Sequence, residues 1–433
     1  MAPSLRRNSS WQFVQSLAST GTELLVLLIL AARLSAEAFG LLAVLLGAAK
    51  IGYLIAEIRI HEFLSPKLAR YAVRHPRAAA AWTRLSVRLE LTCNGLGLLL
   101  CFGAALVGDA LGVLGEPWLL LACGAYLGSN TVLKFSSLAI LRYVGRVELA
   151  AWHAVAGAAA KLCTLACALY FGLTTSAIMA IMAVPSLLIS LRMARVAHRA
   201  LRQAMREPRV QPATGARLSR RNLRRQGSLL VANYATGFAE IGHRELDVQI
   251  LAALAGATVA GGYRLAKSLS MVMLEALSPL VLILLPEFSR RLGDRDRSGL
   301  FAFARRMTLV LAGMGWVSAL VVLGASSLYL AWFAPAQWEI LGVVAVLVAG
   351  LAAMAPAMWA QSFLVASGRP QAYLRASLAG AAVAALTTWL AAGAWGAAGA
   401  AVGHVAGLWI ANGLAMHAAW GLLPRSDSRP GLP

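Results

Sequence analysis

The chain of 433 residues is 59% hydrophobic and only 13% charged, with a mean hydropathy of +0.70. An ordinary soluble chain carries about 25% charged residues, so a water-soluble globule is excluded. The formal charge of +21 would suit nucleic acid if the cations clustered on one surface, and their placement along the chain decides the point.

Apolar runs long enough to cross a bilayer, about 20 residues each, fall near 12–31, 38–57, 87–107, 117–137, 149–171 and 174–191. After a polar stretch they resume near 227–251, 257–283, 307–327, 340–360, 372–392 and 398–420. The first run follows Arg6 and Arg7 without a short apolar core ending in a small-residue cleavage site, so it is expected to be retained. The expected fold class is all-α: a polytopic membrane protein of about twelve transmembrane helices, in two parallel six-helix bundles around a central cavity.

All but eight of the 39 basic residues lie in alternate connections: residues 6–7, 67–88, 142–146, 192–225, 290–306, 369–375 and 425–429. The intervening loops hold only Arg33. By the positive-inside rule both termini and the basic connections are cytoplasmic. Topology therefore accounts for the net charge, and nucleic acid is not expected as a partner. Span seven carries Glu240, Arg244, Glu245 and Asp247; omitting it would move the arginines of 290–306 to the other side and break the alternation.

The longest connection divides the chain into an N-terminal bundle (1–191), a basic cytoplasmic linker (192–226), a C-terminal bundle (227–420) and a cytoplasmic tail (421–433). Both bundles begin on the same side, so a repeat would be parallel. Glu23 and Glu240, Gly40 and Gly262, and the turns Gly145-Arg146 and Gly368-Arg369 correspond across it. The linker arginines 192, 195, 199, 202, 206 and 209 form a helical stripe, which either enforces topology or meets anionic membrane lipids.

Seven cations remain in or near spans: Lys50, Arg59, Lys134, Lys161, Arg244, Arg264 and Lys267. Each costs about 2.5–3.5 kcal/mol at the centre of a lipid-facing helix on insertion scales, so they are expected to face protein or water. Arg264 and Lys267 share a helix face, as do Glu240, Arg244 and Asp247. Arg59, Lys134 and Glu57 read as snorkelling anchors near the cytoplasmic ends. His243, His404 and His417 are either proton carriers or packing residues. The plain alternative for the charges is a set of structural ion pairs. The five cysteines lie in apolar runs, indicating neither a disulfide framework nor a metal site.

Four segments carry a resemblance: Ala32-Arg33-Leu34-Ser35-Ala36-Glu37-Ala38-Phe39-Gly40; Asp247 followed by Gly261-Gly262-Tyr263-Arg264-Leu265-Ala266; Leu285-Pro286-Glu287-Phe288-Ser289-Arg290; and Ala366-Ser367-Gly368-Arg369-Pro370. In their order and spacing the chain resembles the oligosaccharide flippase family of the multidrug/oligosaccharidyl-lipid/polysaccharide exporter superfamily. The resemblance implies a bacterial inner-membrane protein that moves a polyprenyl-diphosphate-linked oligosaccharide between leaflets by ion-driven alternating access. Its partners would be that lipid-linked glycan, membrane lipids, and a glycan polymerase or glycosyltransferases.

On this reading Arg264, Lys267, Arg244, Lys50 and Lys161 are expected to bind the diphosphate or sugar headgroup by charge-assisted hydrogen bonds. Glu240, Asp247 and Glu23 are expected to carry a proton or sodium ion. No catalytic residue, metal or cofactor is expected. The rivals are a multidrug antiporter of the same superfamily, which needs a cavity rich in acidic and aromatic groups, and a membrane enzyme of glycan assembly. The short outer loops lack the clustered carboxylates or histidines an enzyme needs.

Overall fold

The computed structural model describes residues 3–56, 64, 68, 76–112, 115–206, 245–293 and 297–423. Among these every regular element is helical, as a chain in lipid requires when each segment must satisfy its own backbone. In chain order they are α1 (Pro3–Arg33), α2 (Ala36–Ala56), α3 (Pro76–Ala110), α4 (Pro117–Thr131), α5 (Lys134–Tyr143), α6 (Val147–Tyr170) and α7 (Thr175–Arg206). There follow α8 (Leu246–Ala255), α9 (Ala257–Gly293), α10 (Arg297–Phe333), α11 (Ile340–Met354), α12 (Trp359–Ala366) and α13 (Pro370–Leu422). Eight helices among the described residues are long and apolar enough to cross a membrane.

The helix ends follow local chemistry. Ser35 opens α2, its hydroxyl accepting from the backbone N–H of Ala38 at 3.2 Å, a side-chain cap on an otherwise orphaned donor. The 53 residues of α13 would extend about 80 Å at 1.5 Å per residue, more than twice a hydrocarbon core. Gly396 breaks the run with φ 55° and ψ −129°, a conformation open mainly to glycine, and turns it into two helices. Beyond its apolar part α7 continues to Arg206, so the basic stripe begins on a helix. Arg192, Arg195, Arg199 and Arg202 are exposed or half-buried along one side while Met193, Ala197 and Leu201 are buried on the other.

Gly145 and Gly368 make the same turn. Their φ values are +73° and +74°. In the first, Arg146 N–H donates to Leu141 C=O at 2.9 Å; in the second, Arg369 N–H donates to Leu364 C=O at 2.9 Å. This is the left-handed helix stop that satisfies terminal carbonyls. The helix entering each turn is short and follows a break. Before Gly145, α4 and α5 part at Val132–Leu133, where Leu133 has φ 55°; before Gly368, α11 and α12 are separated by a 3-10 turn at Ala355–Ala357. Both the turn and the interruption repeat in the two halves.

The first break leaves amides at the start of α5 without intrahelical partners, and α3 supplies the remedy. Glu90, 2% exposed, accepts from the backbone N–H of Phe135 at 2.8 Å and of Ser136 at 3.1 Å. A carboxylate over a helix N-terminus satisfies orphan donors and opposes the positive end of the dipole.

By contact density the chain forms two units. Unit 1 comprises residues 1–26 and 45–238, and unit 2 comprises 27–44 and 239–433. Helices α1 and α2 therefore contribute to both. Unit 1 has a core of Trp82, Leu138, Ile140, Leu141, Met193 and Leu201 with their neighbours. Unit 2 has a counterpart around Phe288, Leu311, Trp359, Phe363 and Ala415, where the rings of Phe288 and Phe363 meet edge-on at 5.4 Å. Phe288 belongs to the segment 285–290; its neighbour Glu287 pairs with Arg290 at 2.7 Å and Arg291 at 2.8 Å. Hydrogen bonds from Arg290 first, then Arg291, hold the Glu287 carboxyl below its ordinary range.

Unit 2 also explains two glycines. A Cβ on Gly261 would stand 2.6 Å from Gly40 Cα, and one on Gly40 would stand 2.6 Å from the Ala257 carbonyl carbon. The start of α9 crosses α2 backbone to backbone, which only small residues allow. Large exposed aromatics, Trp118, Tyr170, Phe171, Trp332 and Phe333, lie beside the cation-poor loops. That is the pattern of rings at a membrane–water interface.

Candidate functional sites

Unit 1 contains a small, half-open pocket lined by charged, polar and small apolar residues. Three helices each turn one face toward it. On α1 the face is Gln15, Ala18, Ser19, Thr22 and Glu23; on α6 it is Ala150, His153, Ala154, Gly157, Ala158 and Lys161; on α7 it is Ser186, Ile189, Ser190 and Met193. Steps of three and four residues keep each set on one side of its helix, and the small residues on α6 leave the room. Asn130 and Lys134, on either side of the break between α4 and α5, complete the lining.

Two lysines and one carboxylate thus face the same space. The Lys161 ammonium also lies 5.4 Å from the centre of the Tyr126 ring, within cation–π range. His153 Nδ1 is 2.6 Å from the Leu149 carbonyl oxygen, so that nitrogen carries a proton. Gln15 Oε1 and His153 Nε2 are buried and make no hydrogen bond within the described protein.

Unit 2 contains a charged network of a different kind. Asp247 Oδ2 accepts from the Tyr263 hydroxyl at 2.5 Å and from Lys267 Nζ at 2.6 Å. His404 Nδ1 lies 3.0 Å from the same oxygen. Asp247 Oδ1 meets the backbone N–H of Val248 at 2.8 Å in the first turn of α8, where the helix dipole favours a negative charge. Beside it Glu245 pairs with Arg264. Exposures are 1% for Glu245, 2% for Asp247, 8% for Arg264, 5% for Lys267 and 1% for His404. With two acids against two bases, the network is neutral when His404 is neutral.

The outcome for the expected residues is uneven. Glu23 and Lys161 come together in the unit 1 pocket. Lys50 is half-buried on α2 and does not line it. Arg264, Lys267 and Asp247 meet in unit 2, yet each cation is matched by a carboxylate, so neither offers an uncompensated charge to an anion. The reason is desolvation: a buried charge needs an ionic partner. Arg244 and Glu240 lie outside the described residues, as do Glu57, Arg59, His61 and His243. Lys134, expected as a snorkelling anchor, stands at the start of α5 after the break at Leu133 and lines the pocket. His404 is the one candidate histidine found in a charged site among the described residues. The sequence reading passed over Tyr263 as a ligand of Asp247, and Glu90, Gln15, Asn130 and His153 entirely. The spacing of His153 and Lys161 by eight residues on one helix face could have flagged the last.

Among solved structures the chain is similar to a transporter from Pyrococcus furiosus of the MOP superfamily whose description reads "Reverse polarity of binding pocket suggests different function". The TM-score is 0.69 at 14% identity, covering 97% of this chain and 95% of that one. It is similar also to the inward-facing conformation of a multidrug resistance MATE family transporter of that superfamily (TM-score 0.65, 13% identity, 96% and 94% covered). A third is the outward-facing conformation of a multidrug resistance MATE family transporter (TM-score 0.65, 14% identity, 97% and 95% covered). These identities establish the fold alone. A comparison with curated protein sequences gives no match. Residues 5–291 match the family described as polysaccharide biosynthesis protein. With an all-helical, multi-pass fold in place and a family match over well beyond half its length, the chain belongs to the polysaccharide biosynthesis protein family.

Proposed function

We propose that this protein carries a polyprenyl-diphosphate-linked oligosaccharide across the bacterial cytoplasmic membrane for cell-surface polysaccharide assembly. The carrying observation is the unit 1 pocket: two lysines on polar helix faces, inside a membrane protein of a polysaccharide biosynthesis family. A glycan headgroup crossing hydrocarbon must exchange its water for protein hydrogen bonds. Lysines and hydroxyls directed into one space supply them. A cation exporter would need the opposite sign there, which speaks against the multidrug reading.

The arrangement behind this proposal is twelve spans in two parallel six-helix bundles, 1–191 and 227–420, around a central cavity, with both termini cytoplasmic. The matching turns at Gly145 and Gly368 support the repeat, and the exposed aromatics beside the cation-poor loops support the orientation. Ion-coupled alternating access assigns the buried Asp247–Lys267–His404 network to coupling. A proton taken up there would leave a net positive charge in a nearly dry site, which favours a rearrangement that rehydrates it. Arg264 and Lys267 then act first as counter-ions, and they reach the headgroup only if their carboxylates are neutralised. Lys134 and Lys161 are its principal contacts.

The test is a K134Q/K161Q double variant expressed in a strain lacking the chromosomal gene. The deletion strain is expected to accumulate unexported lipid-linked glycan on the inner leaflet and to lose surface polysaccharide. The double variant is expected to insert at normal levels and fail to restore it. Normal surface polysaccharide in the deletion strain would refute the proposal.

A further inference from the structure

The geometry points to a more specific occupant of the unit 1 pocket: a sugar ring bearing a single carboxylate, a hexuronate unit of the cargo glycan. This deepens the transport reading and rests on it. The first argument is charge. Lys134 and Lys161 against Glu23 leave one positive charge in excess. A neutral sugar leaves that excess standing, and a diphosphate with two or more negative charges overshoots it beside Glu23. One carboxylate closes the balance, which matters once an occupant has displaced the water around these groups.

The second argument is hydrogen-bond polarity. Two buried atoms on the pocket lining, Gln15 Oε1 and His153 Nε2, have no protein partner and can act as acceptors. In a neutral imidazole Nε2 is the accepting nitrogen of His153, since Nδ1 is committed to the Leu149 carbonyl at 2.6 Å. A fully ionised diphosphate has no proton to give and would set lone pair against lone pair at both acceptors. Sugar hydroxyls both donate and accept, so a ring can answer both atoms. The absence of side-chain bulk at Gly157 and its alanine neighbours keeps the α6 wall of the pocket low.

The matched probes are methyl β-D-glucuronide and methyl β-D-glucoside, which differ only in the carboxylate. Full-length protein in lipid nanodiscs is probed by saturation-transfer difference NMR at millimolar ligand. The glucuronide is expected to show a signal at least about fivefold above that of the glucoside, and equimolar inorganic pyrophosphate is expected not to displace it. K161Q is expected to lose the glucuronide preference, whereas K161R, which keeps the charge, retains most of it. Both variants are first checked for an unchanged melting temperature; if K161Q fails that check, K134Q serves in its place. Equal signals from the two glycosides, or displacement by pyrophosphate, would overturn the assignment. Those results would leave surface polysaccharide export by the wild-type gene intact, whereas failure of the transport reading would appear in the deletion strain itself.

Discussion

The carboxylate of Glu90 accepts the backbone N–H of Phe135 at 2.8 Å, although the two residues stand on different helices. The contact joins α3 to the first turn of α5 and so fixes where span four resumes after its break. Lys134, the first residue of α5, is aimed at the unit 1 pocket by that restart.

Removing the cap should therefore cost both stability and function. Glu90→Ala leaves two buried amides without a partner, each worth about 1–3 kcal/mol. Glu90→Gln keeps one acceptor oxygen and should recover about half of the loss. Unfolding in mixed micelles measures the first effect. Glycoside binding measures the second, and it is expected to fall for Glu90→Ala even in conditions where the protein remains folded.

In unit 2 the single and double changes should diverge. Asp247→Asn leaves Lys267 buried against a neutral partner, and breaking a buried pair from one side costs about 3–5 kcal/mol. Combining it with Lys267→Met removes the stranded charge and should return stability to within about 1–2 kcal/mol of the parent, because an apolar replacement of such a pair is often nearly neutral. Surface polysaccharide should remain absent with the double variant if the network couples transport as proposed. Melting temperature and a surface-glycan blot separate the two effects.

Close backbone contact predicts sharply local sensitivity. Gly40→Ala and Gly261→Ala each place a methyl against backbone with no flexible side chain to yield. Both should destabilise by about 1–3 kcal/mol, as overpacking does. Gly95→Ala on α3 meets nothing within 4 Å and should be neutral or slightly stabilising, as helix propensity dictates. Thermal unfolding of the three variants checks the contrast.

The paired turns offer an internal control. Gly145→Ala and Gly368→Ala force an L-residue into left-handed geometry, at about 1–2 kcal/mol. Because the φ angles, +73° and +74°, nearly coincide, the two penalties should agree within about 0.5 kcal/mol in thermal unfolding. Asn at either position should recover part of the loss, since it tolerates that region better than Ala.

The sequence carried the all-α class and the positions of most helices, because apolar runs and arginine alternation are local properties that the bilayer selects directly. Gly145 and Gly368 were legible as a repeat for the same reason: a left-handed turn demands glycine wherever it recurs. The mid-membrane charges were legible as sites but not as pairs. Arg264 and Lys267 declare themselves by being costly, whereas Glu245 and Asp247, two residues apart on the preceding segment, reveal their partners only when α8 folds against α9. The unit 1 pocket was least legible. Lys134 falls at the end of an apolar run that reads as one span, and the break at Leu133 that reorients it has no proline or glycine to announce it. Gln15, Asn130 and His153 look like ordinary polar residues until three helices bring them together.

The sharing of α1 and α2 between the two units bears on how the gene can be divided. A cut within residues 207–226 would fall in the basic linker expected from the sequence, yet the downstream fragment would lack residues 27–44 and with them Gly40, the surface against which Gly261 closes. Such a fragment cannot complete its own fold, and split-gene complementation at this site should succeed only when both pieces are made in the same cell.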